Sequence, residues 1–582
     1  MTKELLFPFR QMSIWILFTF LFTNVYAQEK RNENFRSPLD IPLYLAGNFG
    51  ELRSNHFHTG IDIKTQGVEG KAVYAIESGY ISRIKISTGG YGKAIYITHP
   101  NGYTSVYGHL LKGSERIEAY IQQKQYAKKS FTIEVFPGKG ELSLEKGELF
   151  AYTGNTGSSG GPHLHFEIRE SASEEAVNPL LFGFPIQDNI RPIISGVRLY
   201  TLNEESFISP YSPNSLAYTA VGSYGNYHLK DSPRIEAYGQ IGFAINTYDL
   251  LNGYPNKCGV YKIELRVDSE LVFETEFEKL NFSHLRYINT YLDYPLYRNN
   301  KKRYHKQFIG ENNLLKIYST RKNNGIIEFN DGKAHKIEYH IVDTYGNSTS
   351  LSFEVFALKQ IPIPIRREQN QEGKTLFTVK GPNFYQNDAF ILDVPYHALY
   401  DDMVFTYEEK ASLKNTYGPV YVIGNEDFPL QKNFSFIIKE NPVPEKYQDK
   451  ACFVMIEKDG SPSYMGGKII DGKMTLKSRY FGSYSLMVDT VSPKIKPLNI
   501  APNKDMSSYN TFTLKISDEL SGISDYSGKI DGQWILMEYD TKKETLTYRF
   551  DNERISKGRH VFTLYVSDEK GNMKNYEAAF IR

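Results

Sequence analysis

The chain has 582 residues, too many for one hydrophobic core, so three or four domains are expected. A formal net charge of +1 argues against a strongly electrostatic partner such as nucleic acid or an anionic membrane surface. Forty-four tyrosines, 36 phenylalanines and many Val, Ile and Thr runs favour strands over helices.

The first 27 residues read as a signal peptide. Lys3 and Arg10 supply a positive start, Ile14 to Phe22 a short apolar run, and Val25-Tyr26-Ala27 a small-residue cleavage site before Gln28. An uncleaved anchor is the alternative, but polar residues follow at once without a stop-transfer segment. Export to the periplasm, the cell envelope or the extracellular space is expected, with no transmembrane segment in the mature chain. No cysteine follows the cleavage site, which argues against a lipid anchor there.

Residues 36–185 form the first expected domain. Six of the 13 histidines lie between His56 and His165. Gly79-Tyr80-Ile81-Ser82-Arg83-Ile84 and Ala94-Ile95-Tyr96-Ile97-Thr98 alternate as strands do, and Ser130 to Phe136 reads as strand too. Ile117, Tyr120 and Ile121 have helical spacing, which predicts one short helix within 115–128. Asn178-Pro179 and the Pro185 region close the domain.

Three motifs in this domain carry chemistry. In His58-Thr59-Gly60-Ile61-Asp62, the flanking alternation of Ile61 and Ile63 suggests a loop entering a strand, and both polar side chains can converge on one metal. His163 and His165 lie two apart on a predicted strand, so both imidazoles face one site while Leu164 and Phe166 face the core. His109, in Tyr107-Gly108-His109, sits at a strand end. Each motif alone has a bland reading as a chance pair or a satisfied histidine. Together they fit a catalytic zinc set of two histidines and a carboxylate, with the fourth position left for water. Imidazole is a poor ligand for magnesium or calcium. Neighbouring histidines can move protons and stabilise an oxyanion. His56 is a rival ligand, but only His58 has the four-residue spacing to Asp62. Gly157-Ser158-Ser159-Gly160-Gly161 matches a serine nucleophile elbow, which needs a following helix; Pro162 and a strand follow instead, so it reads as loop. Without a His-Glu-x-x-His sequence, the helix-borne zinc protease plan is excluded.

Beyond about residue 190 the chain reads as almost entirely strand and turn. Units are expected at 190–360, a β-sandwich; 370–488, β-rich; and 491–582, immunoglobulin-like, with linkers near Pro362–Arg367 and Ser492-Pro493. Ile341 to Asn347 resembles Tyr565 to Asn572, each placing Asp-x-x-Gly-Asn after an alternating strand, and acidic strand ends lie near Asp249 and Asp518. Turn chemistry accounts for these aspartates on local grounds, and a calcium site is the alternative. Cys258 and Cys452 read as small buried apolar residues in different domains.

With these motifs in order, residues 40–180 resemble the lysostaphin-type zinc metalloendopeptidases, which cleave peptide cross-links in bacterial cell walls. The matching features are Phe49-Gly50 with Arg53, His58-x-x-x-Asp62, the Gly79 turn, Tyr107-Gly108-His109, Gly154-x-x-Gly157 and His163-x-His165. The resemblance implies one zinc ion per chain held by His58, Asp62 and His165, with His109 and His163 as catalytic histidines. It also implies a small antiparallel β catalytic domain, peptidoglycan peptides as substrate, and closest likeness to Gram-negative members with extra β domains. Family-like domains that have lost ligands act as binding modules; all five site residues are present here. The stretch at about 112–146 is longer than in compact members, which leaves the size of the substrate open. Arg53 is a candidate contact for a substrate carboxylate, with a surface salt bridge as the alternative. The expected fold is mainly β, with a short helical insert in the catalytic domain and β-sandwich domains after it. Those β domains are expected to act as spacers or to bind cell-envelope proteins.

Overall fold

The computed structural model describes residues 31, 33–210, 214–361, 375–551 and 553–582. The expected signal peptide and the linker near Pro362–Arg367 lie outside them. The chain is mainly β throughout, as its aromatic and β-branched content requires.

The first domain contains β1 (Leu45–Gly47), β2 (Leu52–Arg53), β3 (His56–Phe57), β4 (Ile61–Lys64), β5 (Ala72–Tyr74), β6 (Gly79–Ile86), β7 (Lys93–Thr98), β8 (Tyr103–Gly108) and β9 (Leu110–Gly113). After α1 (Glu115–Lys128) come β10 (Ile133–Val135), β11 (Ser143–Leu144), β12 (Leu149–Thr153), β13 (His163–Glu170) and β14 (Ala176–Val177). The main antiparallel sheet runs β1-β4-β13-β8-β7-β6-β10, and a smaller one runs β5-β12-β9. Between them lie Ile61, Ile63, Ile81, Ile97, Leu164 and Phe166, all fully buried. Strand periodicity then turns Asp62, His163 and His165 to the other face of the main sheet. The predicted helix forms as α1, buried through Ile117 and Ile121, while Tyr120 only packs at its edge.

Three further cores follow. Ile194 to Ala357 surround one, within a 13-stranded sheet. Phe377 to Leu486 fill a second, between two five-stranded sheets. Ile500 to Phe580 fill the last, between a four-stranded and a five-stranded sheet. Cys258 and Cys452 are free and buried, Cys258 in the first domain's core.

After residue 190 the chain is almost entirely strand and turn, as expected, with a short helical insert. Phe282–Tyr287, Ile288–Tyr291 and Tyr294–Asn300 are helical. Asp293 caps the last of these by accepting from the Leu296 N–H at 3.2 Å, with Pro295 in its first turn.

This helical insert packs against the first domain. Phe277 and Tyr291 meet Phe57 of β3, with ring centroids 5.7 Å apart in both cases. Strand Lys279–Leu280 pairs with β14, so the two domains share one sheet. Asn48 clasps Gly259 in both directions at 2.7 Å, side-chain amide to carbonyl and backbone N–H to side-chain oxygen. At the other end, Lys542 donates to the Asn155 and Ser159 carbonyls, Lys93 pairs with Glu538 at 2.8 Å, and Arg554 lies over Tyr126. Phe277 is 1 % exposed, so Phe277→Ala should cost about 3–5 kcal/mol, read as a lowered midpoint in denaturant unfolding of the full chain. A cost below about 1 kcal/mol would contradict close packing between the two domains.

Candidate metal centre and the histidines beside it

Asp62 and His165 are direct cross-strand neighbours in the β4–β13 register. His58 arrives from the short connection between β3 and β4. Its N–H donates to the Glu51 carbonyl and its carbonyl accepts from Gly50, each at 2.9 Å. Gly60 lets that connection lie against β13, because a Cβ there would stand 2.4 Å from the Phe166 carbonyl oxygen.

Three side-chain atoms therefore converge. Asp62 Oδ1 is 3.1 Å from His58 Nε2 and 2.9 Å from His165 Nδ1, and the two ring nitrogens are 3.2 Å apart. The opposite ring nitrogens are tied elsewhere. His58 Nδ1 donates to the Asn48 carbonyl at 2.8 Å, and His165 Nε2 donates to Glu167 Oε1 at 2.8 Å. Each tie fixes a tautomer whose remaining lone pair faces the centre. Arg53 Nη2 donates to the other oxygen of Asp62 at 2.6 Å and also approaches Glu51 at 3.5 Å. The guanidinium put forward as a substrate contact thus lies on the Asp62 carboxylate.

Glu167 is fully buried and carries several donors. Thr59 Oγ1 donates to Oε1 at 2.6 Å and the Tyr91 hydroxyl donates to it at 2.5 Å, and Arg169 donates to Oε2 through Nε at 2.7 Å and Nη2 at 2.6 Å. Burial alone would raise this carboxyl, but Arg169 and His165 outweigh it and hold it well below the usual range. Tyr91 also stacks on His165, centroids 4.8 Å apart. Burial opposes a charge on His165, yet Asp62 and Glu167 together push it up to about 9. A metal ion bound by this trio would displace that proton. Two imidazole nitrogens and one carboxylate oxygen with free lone pairs, each anchored behind, fit a zinc ion and leave a coordination position over.

His109 and His163 stand beside this trio. His109 has a left-handed backbone, φ 59°, between β8 and β9, which turns its ring toward His163 at a centroid distance of 4.7 Å. Its Nδ1 donates to the Thr156 carbonyl at 2.8 Å. Burial, then the nearby His163 and His165, pushes His109 down to about 3, so it is neutral at pH 7. His163 Nδ1 donates to the Gly161 carbonyl at 2.8 Å, and its Nε2 lies 3.5 Å from Asp62 Oδ1. Gly157, with φ +69°, lets the preceding loop approach Gly92, whose N lies 2.3 Å from where a Cβ would stand. That loop leads into β13, with no helix after Ser159, so the nucleophile elbow is absent there. His56 points away, exposed and bonded to the Ser54 carbonyl at 2.9 Å.

The structure thus brings together His58, Asp62, His165, His109 and His163. Glu167, Arg169, Tyr91 and the Asn48 carbonyl were not singled out from the sequence. Glu167 had a signal, because it continues the His163-x-His165 alternation by two more residues.

Two family models match the chain, Peptidase family M23 over residues 56–133 and a Zu5-like domain over residues 374–489. The chain carries a peptidase family M23 domain. Residues 56–133 are thus similar to peptidases of family M23. DD-carboxypeptidase/endopeptidase Mpg of Neisseria meningitidis serogroup B is 33 % identical over 134 residues, 23 % of this chain and 24 % of that protein. A protein described as an uncharacterized metalloprotease of Haemophilus influenzae is 31 % identical over 128 residues, 22 % of this chain and 21 % of that one. The chain spans about a quarter of the length of these curated relatives. Among solved structures, the lysostaphin catalytic domain of Staphylococcus simulans is 25 % identical, covering 23 % of this chain and 87 % of that one, with TM-score 0.17. A zinc containing peptidase from Vibrio cholerae is 22 % identical, covering 26 % and 40 %, with TM-score 0.19.

Glu167→Gln keeps the shape but loses the charge that orients His165. It should weaken zinc binding by about 10–100-fold in chelator competition without unfolding the M23 domain. Unchanged affinity would show that Glu167 does not orient His165.

Proposed function

We propose that this protein is an exported zinc endopeptidase that hydrolyses peptide bonds in peptidoglycan cross-links. The observation that carries the reading is the inward aim of His58 Nε2, Asp62 Oδ1 and His165 Nδ1, with both outer imidazole nitrogens tied to acceptors. The M23 match supports a cell-wall substrate, and a relative named as a carboxypeptidase/endopeptidase supports cleavage of peptide bonds. Export rests on residues 1–27, and the site of action would be the periplasm or cell envelope. The β domains would act as spacers or as docking modules for envelope proteins.

A zinc ion bound by the trio would supply Lewis acidity, polarising a carbonyl and acidifying water. The residues of the chain do the rest. His109 and His163 each spend Nδ1 on a backbone carbonyl, so proton transfer is left to Nε2 of both rings. Between them the paired rings can accept the proton of the attacking water and pass one to the leaving amine. His58, His163 and His165 hold Asp62 ionised against its burial, and Arg53 fixes its second oxygen. His163, with 15 % of its side chain exposed against 3–7 % for the trio, is more accessible to substrate than the three ligands.

Digestion of purified peptidoglycan tests this. The zinc-loaded protein should release soluble muropeptides, and a chelator or His58→Ala should abolish the release. His109→Ala should retain zinc while losing about 10²–10⁴-fold in kcat. Undiminished release by His58→Ala would overturn the proposal.

A further inference from the structure

Two aspartate clusters lie outside the M23 site. Carboxylate oxygens of Asp188, Asp249 and Asp343 all lie within 4.8 Å of one another, and so do those of Asp489, Asp518 and Asp568. The sequences that bring them together repeat. Asp188-Asn189-Ile190-Arg191-Pro192 parallels Asp489-Thr490-Val491-Ser492-Pro493. Asp249-Leu250-Leu251-Asn252-Gly253 parallels Asp518-Glu519-Leu520-Ser521-Gly522. The Asp-x-x-Gly-Asn turns at Asp343 and Asp568 complete each set. The first aspartate of each set lies in the segment entering a β domain, and the other two lie at strand ends within it.

Turn chemistry explains Asp343 fully. Its Oδ1 accepts from the N–H groups of Tyr345 at 2.8 Å and Asn347 at 2.9 Å, and its Oδ2 accepts from Asn347 Nδ2 at 2.7 Å. Asn347 Nδ2 also donates to the Asp188 carbonyl at 3.3 Å. Asp249 has no such account. It is 2 % exposed, its Oδ1 is buried without a hydrogen-bond partner, and it still brings an oxygen within 4.8 Å of both other carboxylates. Asp188 Oδ2 is likewise buried and unpartnered. No Lys, Arg or His among the described residues forms an ion pair with any of the three. Two buried carboxylates and a half-buried third with no counter-charge are costly unless a cation joins them.

We propose that Asp188, Asp249 and Asp343 form a calcium site at the junction between the M23 domain and the β domain after it. The donors are all oxygen, which excludes a zinc preference. Calcium accepts six to eight oxygens in flexible geometry, so backbone carbonyls and water can complete the shell, whereas magnesium demands a strict octahedron. Burial and then the other two carboxylates push Asp249 up to about 9 without a cation, a penalty that bound calcium removes. The second cluster repeats the frame: Asn572 Nδ2 donates to the Asp489 carbonyl at 2.9 Å, and Asp518 Oδ1 is buried without a partner. There, however, Asp518 Oδ2 holds the Leu520 and Gly522 N–H groups and both Asp489 oxygens take backbone donors, so the assignment rests on the first cluster.

Calorimetric titration of the full zinc-loaded chain with calcium chloride, wild type against Asp249→Asn, tests the site. The wild type should bind calcium, and the variant should bind one ion fewer per chain. In a calcium-selective chelator the variant should unfold at or above the wild-type temperature, because Asn removes a carboxyl whose ionisation burial and its two neighbours oppose. In calcium the order should reverse, with the wild type higher. Equal stoichiometry, no calcium binding by the wild type, a magnesium response equal to that of calcium, or a variant less stable in chelator as well would each overturn the proposal.

Discussion

A metal centre of this kind requires that two imidazole lone pairs and one carboxylate oxygen point at the same place while remaining unprotonated. Everything around the M23 site serves that requirement. His58 is oriented by a backbone carbonyl, His165 by a buried glutamate, and Asp62 by an arginine. The glutamate in turn needs Arg169, Thr59 and Tyr91 to keep its charge inside the protein. Without these outer contacts, His165 could turn its proton inward and the three donors would lose their common aim.

The same requirement reaches into the neighbouring domains. Asn48, whose carbonyl orients His58, is itself clasped by Gly259 of the second unit. Phe277 and Tyr291 press on the strand that leads to His58. On the opposite side, Lys542 of the last unit holds the loop whose Gly161 carbonyl orients His163. The β domains are therefore part of the geometry of the site as well as its flanks. A calcium ion at Asp188 would stiffen the first of these joints.

The strand-borne part of this was legible in the sequence, because period-two alternation says which residues share a face. His163 and His165 follow from it directly, and so does the helix at Glu115–Lys128 from its apolar spacing. The register that sets Asp62 opposite His165 was not legible, since pairing between distant strands leaves no local mark. Asn48 acts through a backbone carbonyl, which no side-chain pattern reveals. The helix at Tyr294–Asn300 has a local start signal in Asp293 followed by Pro295, but it is too short for a periodic apolar pattern to mark it. The aspartate turns were recognised, but the partner that makes one of them more than a turn, Asp249, is brought in by the fold.

The most direct test of the central claim is an anomalous-scattering map, at the zinc edge, of crystals of the zinc-loaded protein. The account predicts one strong peak per chain, about 2.0–2.1 Å from His58 Nε2 and His165 Nδ1 and about 2.0–2.2 Å from Asp62 Oδ1. A peak held by other side chains, or no peak between these three, would contradict it.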